Sequence, residues 1–467
     1  MPDREIAVTD DELIRRIVAE CGVASVVPPS DAEGRPLSPF GATLHAAPVL
    51  RPANTHHVVA MVRLLREAGK ALVPLGGATG LVAGLLPSTG AEWYLSTERM
   101  RQIERLDRES RVAVVQAGVV LQTLQEAAAR QDMLFPIDLG ARGSASIGGL
   151  IATNAGGERV LRFGMMREQV LGLEVVTAEG TVLDLMDQVV KNNAGYDLKQ
   201  LFIGSEGTLG IVTRAVVRLR PALERNEAAV LALNDLDDLP NLLFRVESAL
   251  GGSLSAFELM WPEFFELMTG GAEARHRSPV EPGAAAYVLM ELEESGATDS
   301  SERLVELLDG LIAKGMLRDA AVARSHADRD AFWRIRNDIE HLIKSMSPLH
   351  AYDVSVPIVS MTAYVAELRG VVVGRWPGAR VVVFGHVADN NLHVVINGPA
   401  PADKEALDDL VYAGVMSRRG SISAEHGIGL DKRRGLRAAR PPEVIALMQQ
   451  MKRLLDPRDM LNPGKVV

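Results

Sequence analysis

Two histidines and a glutamate near the C-terminus form the clearest set of candidate metal ligands in the chain. His386 and His393 lie in the segment Gly-His-Val-Ala-Asp-Asn-Asn-Leu-His, and Glu425 lies in the later segment Ser-Ala-Glu-His-Gly-Ile-Gly. Two imidazoles and a carboxylate suit zinc or a similar divalent cation, and three protein ligands leave one position open for a substrate. These residue types predict a catalytic metal site, with the metal open among zinc, manganese, cobalt and iron.

The adjacent residues Glu425 and His426 set a condition on the local backbone. Neighbours in a regular strand point to opposite faces, so both side chains can serve one site only where the backbone is irregular. Gly427 and Gly429 permit such a backbone. A lone histidine here would more often be structural than a ligand. Three candidate ligands together favour ligation.

Four glycine-rich loops, at residues 76–84, 140–149, 154–157 and 204–210, recur in the first half of the chain. Without side chains, main-chain N–H groups can converge on an anion, and a pyrophosphate is the commonest ligand that needs several such donors. Any single loop is more often a tight turn. The first loop does not match the Gly-x-Gly-x-x-Gly pattern of nicotinamide dinucleotide binding.

Composition bounds the class of protein. The chain has 467 residues, 47% of them hydrophobic and 24% charged, with a formal net charge of -10. This length predicts at least two packed domains, and the absence of a basic run argues against a nucleic-acid partner. The single cysteine, Cys21, excludes an internal disulfide framework and indicates a reducing compartment, so a cytoplasmic location is expected. The N-terminus lacks a signal-peptide pattern, and no stretch reaches the roughly 18 apolar residues of a membrane span.

The candidate sites must be carried by at least two domains. Apolar spacing predicts a helix from near Pro52 to Gly69, followed by a strand over 71–75 that runs into the first glycine loop. After Pro221 the composition changes, and helical patterns over 238–250 and 301–312 alternate with strands, before a last helix over 442–455. The prediction is a first domain over 1–222, a second over 223–414 and a C-terminal segment over 415–467.

The first domain resembles the FAD-binding domain of the vanillyl-alcohol oxidase superfamily, also called the p-cresol methylhydroxylase (PCMH) type, over residues 52–220. The matching motifs are Pro-Leu-Gly-Gly-Ala-Thr-Gly-Leu-Val from Pro74, Pro-Ile-Asp from Pro136, Ser-Ala-Ser-Ile-Gly-Gly from Ser144, Asn-Ala-Gly-Gly from Asn154, Asn-Ala-Gly-Tyr-Asp-Leu from Asn193, and the 204–210 loop. The resemblance implies an α+β fold class: a PCMH-type FAD-binding domain, a second α+β substrate (cap) domain and a C-terminal helical segment.

By this resemblance the first two loops wrap the pyrophosphate of FAD, and the later ones line ribose and adenine. The implied cofactor-binding residues are Pro74, Gly76, Gly77, Ala78, Thr79, Gly80, Leu81, Pro136, Asp138, Gly140, Ser144, Ser146, Ile147, Gly148, Asn154, Gly157, Gly164, Glu206, Gly207, Gly210, Ile211 and Asn462. Family members with a covalent flavin attach it to a histidine beside the paired glycines or to a cysteine elsewhere. Here that place is Ala78 and the one cysteine is distant in sequence, so non-covalent FAD is expected.

The C-terminal half resembles the FAD-linked oxidase region of the D-lactate, glycolate and D-2-hydroxyglutarate dehydrogenases. Their pattern is Gly-His-x-x-Asp-Gly-Asn-Leu-His followed by Ser-x-x-Glu-His-Gly, and this chain departs from it with Asn390 in place of the second glycine of the first motif. The resemblance implies that His386, His393 and Glu425 bind a divalent metal, zinc before manganese. It also implies that His426 is the catalytic base and that Arg336 binds the substrate carboxylate.

The implied activity is the FAD-dependent oxidation of a D-2-hydroxy acid to the 2-oxo acid. Hydride leaves Cα for the flavin while the hydroxyl loses its proton to His426, and a metal on the hydroxyl oxygen would lower its pKa. Arg336 would grip the carboxylate with two parallel hydrogen bonds. The alternative for Arg336 is a solvated position on a helix face.

Four further positions bear on the identity of the acid: Glu340, Ala351, Tyr352 and Val395. Glu340, Ala351 and Val395 stand where the 2-hydroxyglutarate enzymes carry threonine, lysine and asparagine, and Tyr352 follows Ala351. A lost cation and a gained acid disfavour a second substrate carboxylate. We therefore expect a monocarboxylate such as D-lactate or a longer aliphatic or aryl relative, with D-2-hydroxyglutarate as the alternative.

Two rival functions share the glycine loops: a non-catalytic flavoprotein subunit, which needs no metal ligands, and a non-redox FAD enzyme such as a lyase or an ether-lipid synthase. The expected partners are a small-molecule 2-hydroxy acid and an electron acceptor, which is an electron-transfer flavoprotein, a quinone or a cytochrome. A homodimer is the base-rate expectation for the oligomeric state.

Overall fold

A computed structural model describes residues 9–39, 41–271, 274–294 and 300–467. The N-terminal segment without a signal-peptide pattern lies largely outside these residues. The chain divides into two compact units. The first consists of the described residues up to Gly157, of Gly164–Pro221 and of His426–Val467, and the second of Glu158–Phe163 and Ala222–Glu425. In the described ranges, no helix is both long enough and apolar enough to cross a membrane.

The structure alternates short strands and helices along its whole length. The strands are β1 (Val26–Val27), β2 (Val49–Leu50), β3 (Leu72–Leu75), β4 (Trp93–Ser96), β5 (Ile103–Asp107), β6 (Val112–Gln116), β7 (Met133–Leu134), β8 (Val170–Val176), β9 (Val182–Leu185), β10 (Ile211–Arg218), β11 (Arg220–Pro221), β12 (Arg225–Leu233), β13 (Leu254–Met260), β14 (Ala286–Glu294), β15 (Leu317–Val322), β16 (Leu349–Ser355), β17 (Arg380–His386) and β18 (Asn391–Asn397). The helices are α1 (Asp10–Cys21), α2 (Pro29–Ala32), α3 (Thr55–Glu67), α4 (Leu121–Ala129), α5 (Ile147–Thr153), α6 (Val160–Phe163), α7 (Met166–Gln169), α8 (Lys199–Phe202), α9 (Leu239–Leu250), α10 (Pro262–Thr269), α11 (Ser300–Ala313), α12 (His326–Asn337), α13 (Ile339–Met346), α14 (Ile358–Arg375), α15 (Lys404–Met416), α16 (Arg433–Ala439) and α17 (Pro442–Leu455).

The first unit is built on two main sheets. One has the strand order β1-β2-β4-β3, in which β2, β4 and β3 run parallel. The other is antiparallel, with the order β5-β6-β10-β8-β9. Helix α3 begins where the Asn54 side chain accepts a hydrogen bond from the His57 amide, a standard N-cap. Its buried Val58 and Leu65 pack with Ile17 of α1 in one core, and each fully buried aliphatic side chain contributes about 1.5–3 kcal/mol.

The second unit is one antiparallel sheet of seven strands, in the order β15-β12-β14-β13-β17-β18-β16. Strands β13 and β14 are buried along nearly their whole length because helices cover both faces. Helices α10, α12 and α13 pack on one face, where Phe264, Ile335 and Met346 join a common core. Helix α15 lies on the other face, with α14 packed beside it. The central strands therefore sit in a dry and rigid layer.

Several predicted elements agree closely with the structure. The helices predicted over 52–69, 238–250, 301–312 and 442–455 correspond to α3, α9, α11 and α17, and the strand predicted over 71–75 is β3. The mixture of helices and strands confirms the predicted α+β fold class. Residues 415–425 group with the second unit and the segment from His426 onward with the first.

Candidate active site

A row of polar side chains crosses one face of the seven-stranded sheet. Glu258 of β13 pairs directly with His386 of β17, and His393 of β18 lies between Phe384 of β17 and Asp353 of β16. Directly paired residues in an antiparallel sheet point to the same face, and alternate residues along a strand share a face. Strand register therefore brings two histidines and two carboxylates together, although they come from distant parts of the sequence.

The three predicted metal ligands meet at the end of this row. One ligand atom from each of His386, His393 and Glu425 lies within 4.8 Å of the others. The imidazole rings of the two histidines have centroids 5.2 Å apart and an interplanar angle of 82°, and His386 Nε2 lies 3.8 Å from Glu425 Oε1. Glu425 lies outside the strands, and its backbone amide donates a hydrogen bond to Asp353 Oδ2 of β16 at 2.9 Å. This hydrogen bond ties Glu425 to the sheet.

Each histidine has a carboxylate behind its other ring nitrogen. His386 Nδ1 lies 2.7 Å from Glu258 Oε1, and His393 Nδ1 lies 3.8 Å from Asp353 Oδ1. For His386, the carboxylate at hydrogen-bond distance from Nδ1 fixes the tautomer that presents Nε2 to a metal, and metal-binding histidines almost always have such a partner. The donor set and its outer carboxylates thus fit a divalent cation held by His386, His393 and Glu425.

Burial and neighbouring charges shift the pKa values of Glu258, His386 and Asp389. Burial alone would raise the pKa of the Glu258 carboxyl, but the charges of His386 and Arg336 outweigh it and hold the pKa well below its usual range. Burial alone would lower the pKa of His386, but Glu258 and Glu425 raise it above its ordinary value. Burial raises the pKa of Asp389 to about 7.

Arg336 comes to the same cluster from the last turn of α12. Its side chain is buried, its Nε donates to Glu258 Oε2 at 2.9 Å, and its guanidinium lies 4.5 Å from the centre of the Phe384 ring. Within the described ranges, its two terminal nitrogens form no hydrogen bond. A guanidinium held only by Nε is free to bind a carboxylate with both terminal nitrogens. This position excludes the solvated helix face considered for Arg336.

The structure places the other predicted substrate residues apart from this cluster. Tyr352 points to the opposite face of the sheet from Asp353, where its hydroxyl donates to Asp408 of α15 at 2.7 Å. Val395 shares the face of His393 but is buried in the hydrophobic core. Glu340 is exposed in the first turn of α13. Tyr352 lies on that face because neighbouring strand residues alternate between faces, and its substrate contact stays a prediction.

Asn390, the departure from the glycine of the family pattern, adopts the conformation that a glycine would. Its φ is 71°, in the left-handed region that asparagine tolerates better than most other residues. Its side-chain oxygen accepts a hydrogen bond from the Ile358 amide at 3.0 Å, at the start of α14. The substitution therefore keeps the turn between His386 and His393.

In the first unit, the loop after β3 offers a row of unused backbone donors. From Gly77 to Val82, no amide donates a hydrogen bond to the described part of the protein. This stretch follows a buried strand and contains Ala78 with φ 55°. Consecutive free amides in such a loop form a site for an anion, so the predicted pyrophosphate contact of Thr79, Gly80 and their neighbours has its donors in place.

The first two glycine loops approach each other so closely that only glycine fits. A Cβ on Gly77 would lie 2.0 Å from the Ser144 carbonyl oxygen, and one on Gly76 would lie 2.7 Å from Ser146 Oγ. A Cβ on Gly157 would lie 1.8 Å from the Asp138 carbonyl oxygen. The first and second loops are thus in direct contact, and the third touches the chain just before the second.

Other predicted cofactor residues hold the protein itself. Ile147, Gly148 and Ile211 are buried, and the amides of Ile147 and Gly148 donate to Val119 and Ala117. The Asn154 side chain accepts from the Arg167 amide, and Asn462 donates to the carbonyl oxygens of Gly84 and Glu206. Cβ atoms on Gly164, Gly207 and Gly210 would meet Glu168, Pro74 and Val175, while Leu81, Pro136 and Gly140 lie in or beside the loops.

The Glu206 carboxylate holds the loop that follows His426. Its two oxygens accept the amides of Ile428 and Gly429 at 2.7 and 2.8 Å. Burial raises the pKa of Glu206, while these two amides and Lys432 oppose the shift. Gly427 and Gly429 have φ values of 84° and 51°, so the predicted irregular backbone is present. The Glu206 side chain therefore binds this loop, and the cofactor contact of Glu206 stays a prediction.

Comparison with known proteins places this architecture in a family. The model described as "FAD linked oxidases, C-terminal domain" matches residues 222–466, and the one described as "FAD binding domain" matches residues 46–186. The chain belongs to the FAD-linked oxidase family. The predicted family is thereby confirmed.

This FAD-linked oxidase has curated relatives over most of its length. It is 38% identical to "D-2-hydroxyglutarate dehydrogenase, mitochondrial" of Arabidopsis thaliana, over 90% of this chain and 74% of the relative. It is 35% identical to the D-2-hydroxyglutarate dehydrogenase of Stutzerimonas stutzeri, over 91% of this chain and 92% of the relative. A solved p-cresol methylhydroxylase with substrate bound superposes with a TM-score of 0.76 at 15% identity, covering 98% of this chain and 97% of that chain, which confirms the PCMH-type fold.

Glu258 is the residue of this FAD-linked oxidase cluster that the sequence motifs did not reveal. It lies in β13, whose sequence Leu-Ser-Ala-Phe-Glu-Leu-Met is otherwise largely apolar and is buried throughout. An acid in a fully buried strand is rarely left unpaired. That contrast was the available signal, but nothing in the sequence named its partners.

Proposed function

We propose that this chain oxidises a D-2-hydroxy acid to the 2-oxo acid with FAD and a divalent metal. Family and relatives make it an FAD-dependent oxidoreductase that acts on a CH–OH group. One observation carries the more specific proposal: the candidate metal ligand His386 and the candidate carboxylate-binding Arg336 both bind the buried Glu258. A group suited to a hydroxyl and a group suited to a carboxylate are therefore held together, as an acid with both functions on adjacent carbons requires.

We assign the roles of the residues from their chemistry and from the contacts described above. His386 and His393 present Nε2, and Glu425 presents a carboxylate oxygen, to the metal. Arg336 orients the substrate through its two terminal nitrogens. When bound, the metal would lower the pKa of the substrate hydroxyl and FAD would accept the hydride from Cα. His426 follows Glu425 in the sequence. We assign it the role of accepting the hydroxyl proton on a ring nitrogen.

The FAD is proposed to be non-covalent. The loop residue beside the paired glycines is Ala78, which has no nucleophile, and Cys21 is buried in the core of α1 and α3. Acid precipitation should therefore leave the flavin in the supernatant, and yellow colour retained in the pellet would contradict the proposal.

For the acid itself we propose a monocarboxylate, such as D-lactate or a longer relative. Ala351 shares its sheet face with Asp353 and is exposed, and Glu340 is exposed on α13. Where the 2-hydroxyglutarate enzymes carry a lysine and a threonine, this chain has Ala351 and Glu340, so it lacks that cation for a second carboxylate. The second candidate is D-2-hydroxyglutarate, which is favoured by the activity named for the curated relatives.

Anaerobic flavin absorbance tests both the reaction and the acid. D-lactate, L-lactate, D-2-hydroxybutyrate and D-2-hydroxyglutarate are added separately to the purified holoenzyme, before and after treatment with a chelator. Bleaching by the D-monocarboxylates that is lost with chelator is the expected result. Equal or faster bleaching by the diacid would overturn the monocarboxylate proposal but keep the reaction, and no bleaching by any acid would favour a non-redox or subunit role.

The electron acceptor is proposed to be a separate protein or a quinone. Substrate-reduced enzyme mixed with an electron-transfer flavoprotein, a soluble quinone or cytochrome c should be reoxidised by one of these much faster than by oxygen. Rapid reoxidation by oxygen alone would instead indicate an oxidase.

A further inference from the structure

Glu258 uses both of its carboxylate oxygens on groups that belong to the proposed site. Oε1 lies 2.7 Å from His386 Nδ1 and Oε2 lies 2.9 Å from Arg336 Nε, and the side chain is only 1% exposed. A carboxylate buried to this degree is costly unless both oxygens have charged or polar donors. Here the two donors are a candidate metal ligand and the candidate substrate-binding cation.

The backbone around Glu258 leaves it little freedom. It pairs with Leu289 of β14 on one side and with His386 of β17 on the other, in the middle of the seven-stranded sheet. Its partner Arg336 lies on the ring of Phe384, which is stacked on Phe264 at 4.3 Å. The carboxylate and both of its partners are therefore held by packed elements on every side.

A 2-hydroxy acid makes this rigidity matter. Its hydroxyl and carboxylate are on adjacent carbons, so a metal and a guanidinium can engage both only at one spacing. We propose that Glu258 is a positioning residue that sets this spacing, by fixing the ring of His386 with Nε2 toward the metal and the fork of Arg336 with its terminal nitrogens toward the substrate. The inference rests on the proposed function. It attributes the preference of the enzyme for 2-hydroxy over 3-hydroxy acids to the Glu258 carboxylate.

The substitution Glu258→Gln separates the two contacts. The amide oxygen can still accept from Arg336, while the amide N–H then faces His386 Nδ1 and donates to it. Because Nδ1 then accepts this hydrogen bond, the N–H of the neutral imidazole lies on Nε2, which blocks metal ligation. We expect the Zn²⁺ dissociation constant to rise about 10- to 100-fold, the range for loss of an outer carboxylate.

Glu291→Gln is the matched control. Glu291 is also a buried glutamate, lies on the neighbouring strand β14, and has the Trp333 indole as its partner at 3.3 Å. Zn²⁺ affinity is measured on metal-free holoenzyme by competition with a chromophoric chelator. The kcat and KM for D-lactate and for D-3-hydroxybutyrate are measured on the reloaded enzyme.

The expected result is weaker Zn²⁺ binding, a raised KM for D-lactate and a smaller preference for the 2-hydroxy acid in Glu258→Gln, with all three within about threefold of wild type in Glu291→Gln. Equal behaviour of the two variants would overturn the inference. Should Glu258→Gln fail to fold, Glu258→Asp keeps the charge but shortens the reach. Wild-type Zn²⁺ affinity and KM in Glu258→Asp would equally overturn it. The Zn²⁺ measurement needs no turnover, so an inactive wild type would refute the proposed function separately.

Discussion

Replacing Glu206 by glutamine should loosen the loop after His426 by an amount that the structure allows us to work out. The carboxylate accepts the amides of Ile428 and Gly429 at 2.7 and 2.8 Å. A hydrogen bond to a charged acceptor contributes about 1.5–3 kcal/mol. Glutamine keeps one acceptor and turns a donor toward the other amide, so at least one bond of this size is lost. Since about 1.4 kcal/mol corresponds to a factor of ten, the released amide should exchange its hydrogen about 10- to 150-fold faster.

Hydrogen exchange followed by mass spectrometry on the peptide spanning residues 426–432 measures this change directly. Glu104→Gln is the control, because Glu104 lies in the same unit and also pairs with a donor group, that of Arg214, but near the surface. Such pairs contribute little, and exchange of the 426–432 peptide should not change. An exchange rate in Glu206→Gln within twofold of wild type would refute the reasoning. A fall in kcat of about tenfold or more should accompany the faster exchange, since His426 begins this loop.

Four further predictions concern the metal, the cofactor loop and two buried groups. His393→Ala, or dialysis against a chelator, should remove the bound metal and lower kcat at least about 100-fold, and added Zn²⁺ should restore activity only in the dialysed wild type. Gly77→Ala places a Cβ against the Ser144 carbonyl and should abolish flavin retention, read as the ratio of absorbance at 450 and 280 nm. Burial raises the pKa of the Cys21 thiol to about 11, so a thiol reagent at neutral pH should label Cys21 only after unfolding. Burial lowers the pKa of Lys465 from 10.5 to about 8. Between these two pH values the unfolded chain binds more protons than the folded protein, so the contribution of Lys465 to the free energy of unfolding increases as the pH rises. Lys465→Met should therefore reduce any rise of Tm between pH 8 and 10.

The candidate metal ligands could be grouped from the sequence because their residue types are rare and their motifs are local. His386 and His393 are carried on two adjacent strands of one hairpin, so short-range spacing was enough to associate them. The glycine loops are equally local, because a cluster of glycines in the sequence directly indicates backbone that has no room for a Cβ. The elements that carry these motifs, such as α3 and α17, also follow from their own apolar spacing.

Glu258 could not be predicted because its importance depends on strand order. It is separated from His386 by 128 positions and from Arg336 by 78, and no local pattern shows that β13 lies beside β17. Tyr352 shows the converse. Strand periodicity alone would have placed it on the face opposite Asp353, and the family motif gave no reason to doubt that the adjacent residues act together.

Each unit contains one buried carboxylate, Glu206 or Glu258, that connects the fold to a residue of the candidate site. Glu206 joins a glycine loop of the first unit to the amides after His426, and Glu258 joins a strand of the second unit to a histidine and an arginine. Each would be strongly destabilising if left alone, because an unpaired buried charge costs several kcal/mol, and each is tolerated because two donors from other segments bind its oxygens. Replacing either acid alone by a hydrophobic residue would leave its donors without a partner, which is strongly destabilising. Each acid therefore both stabilises and orients the groups that it contacts, and the glutamine variants separate these two effects.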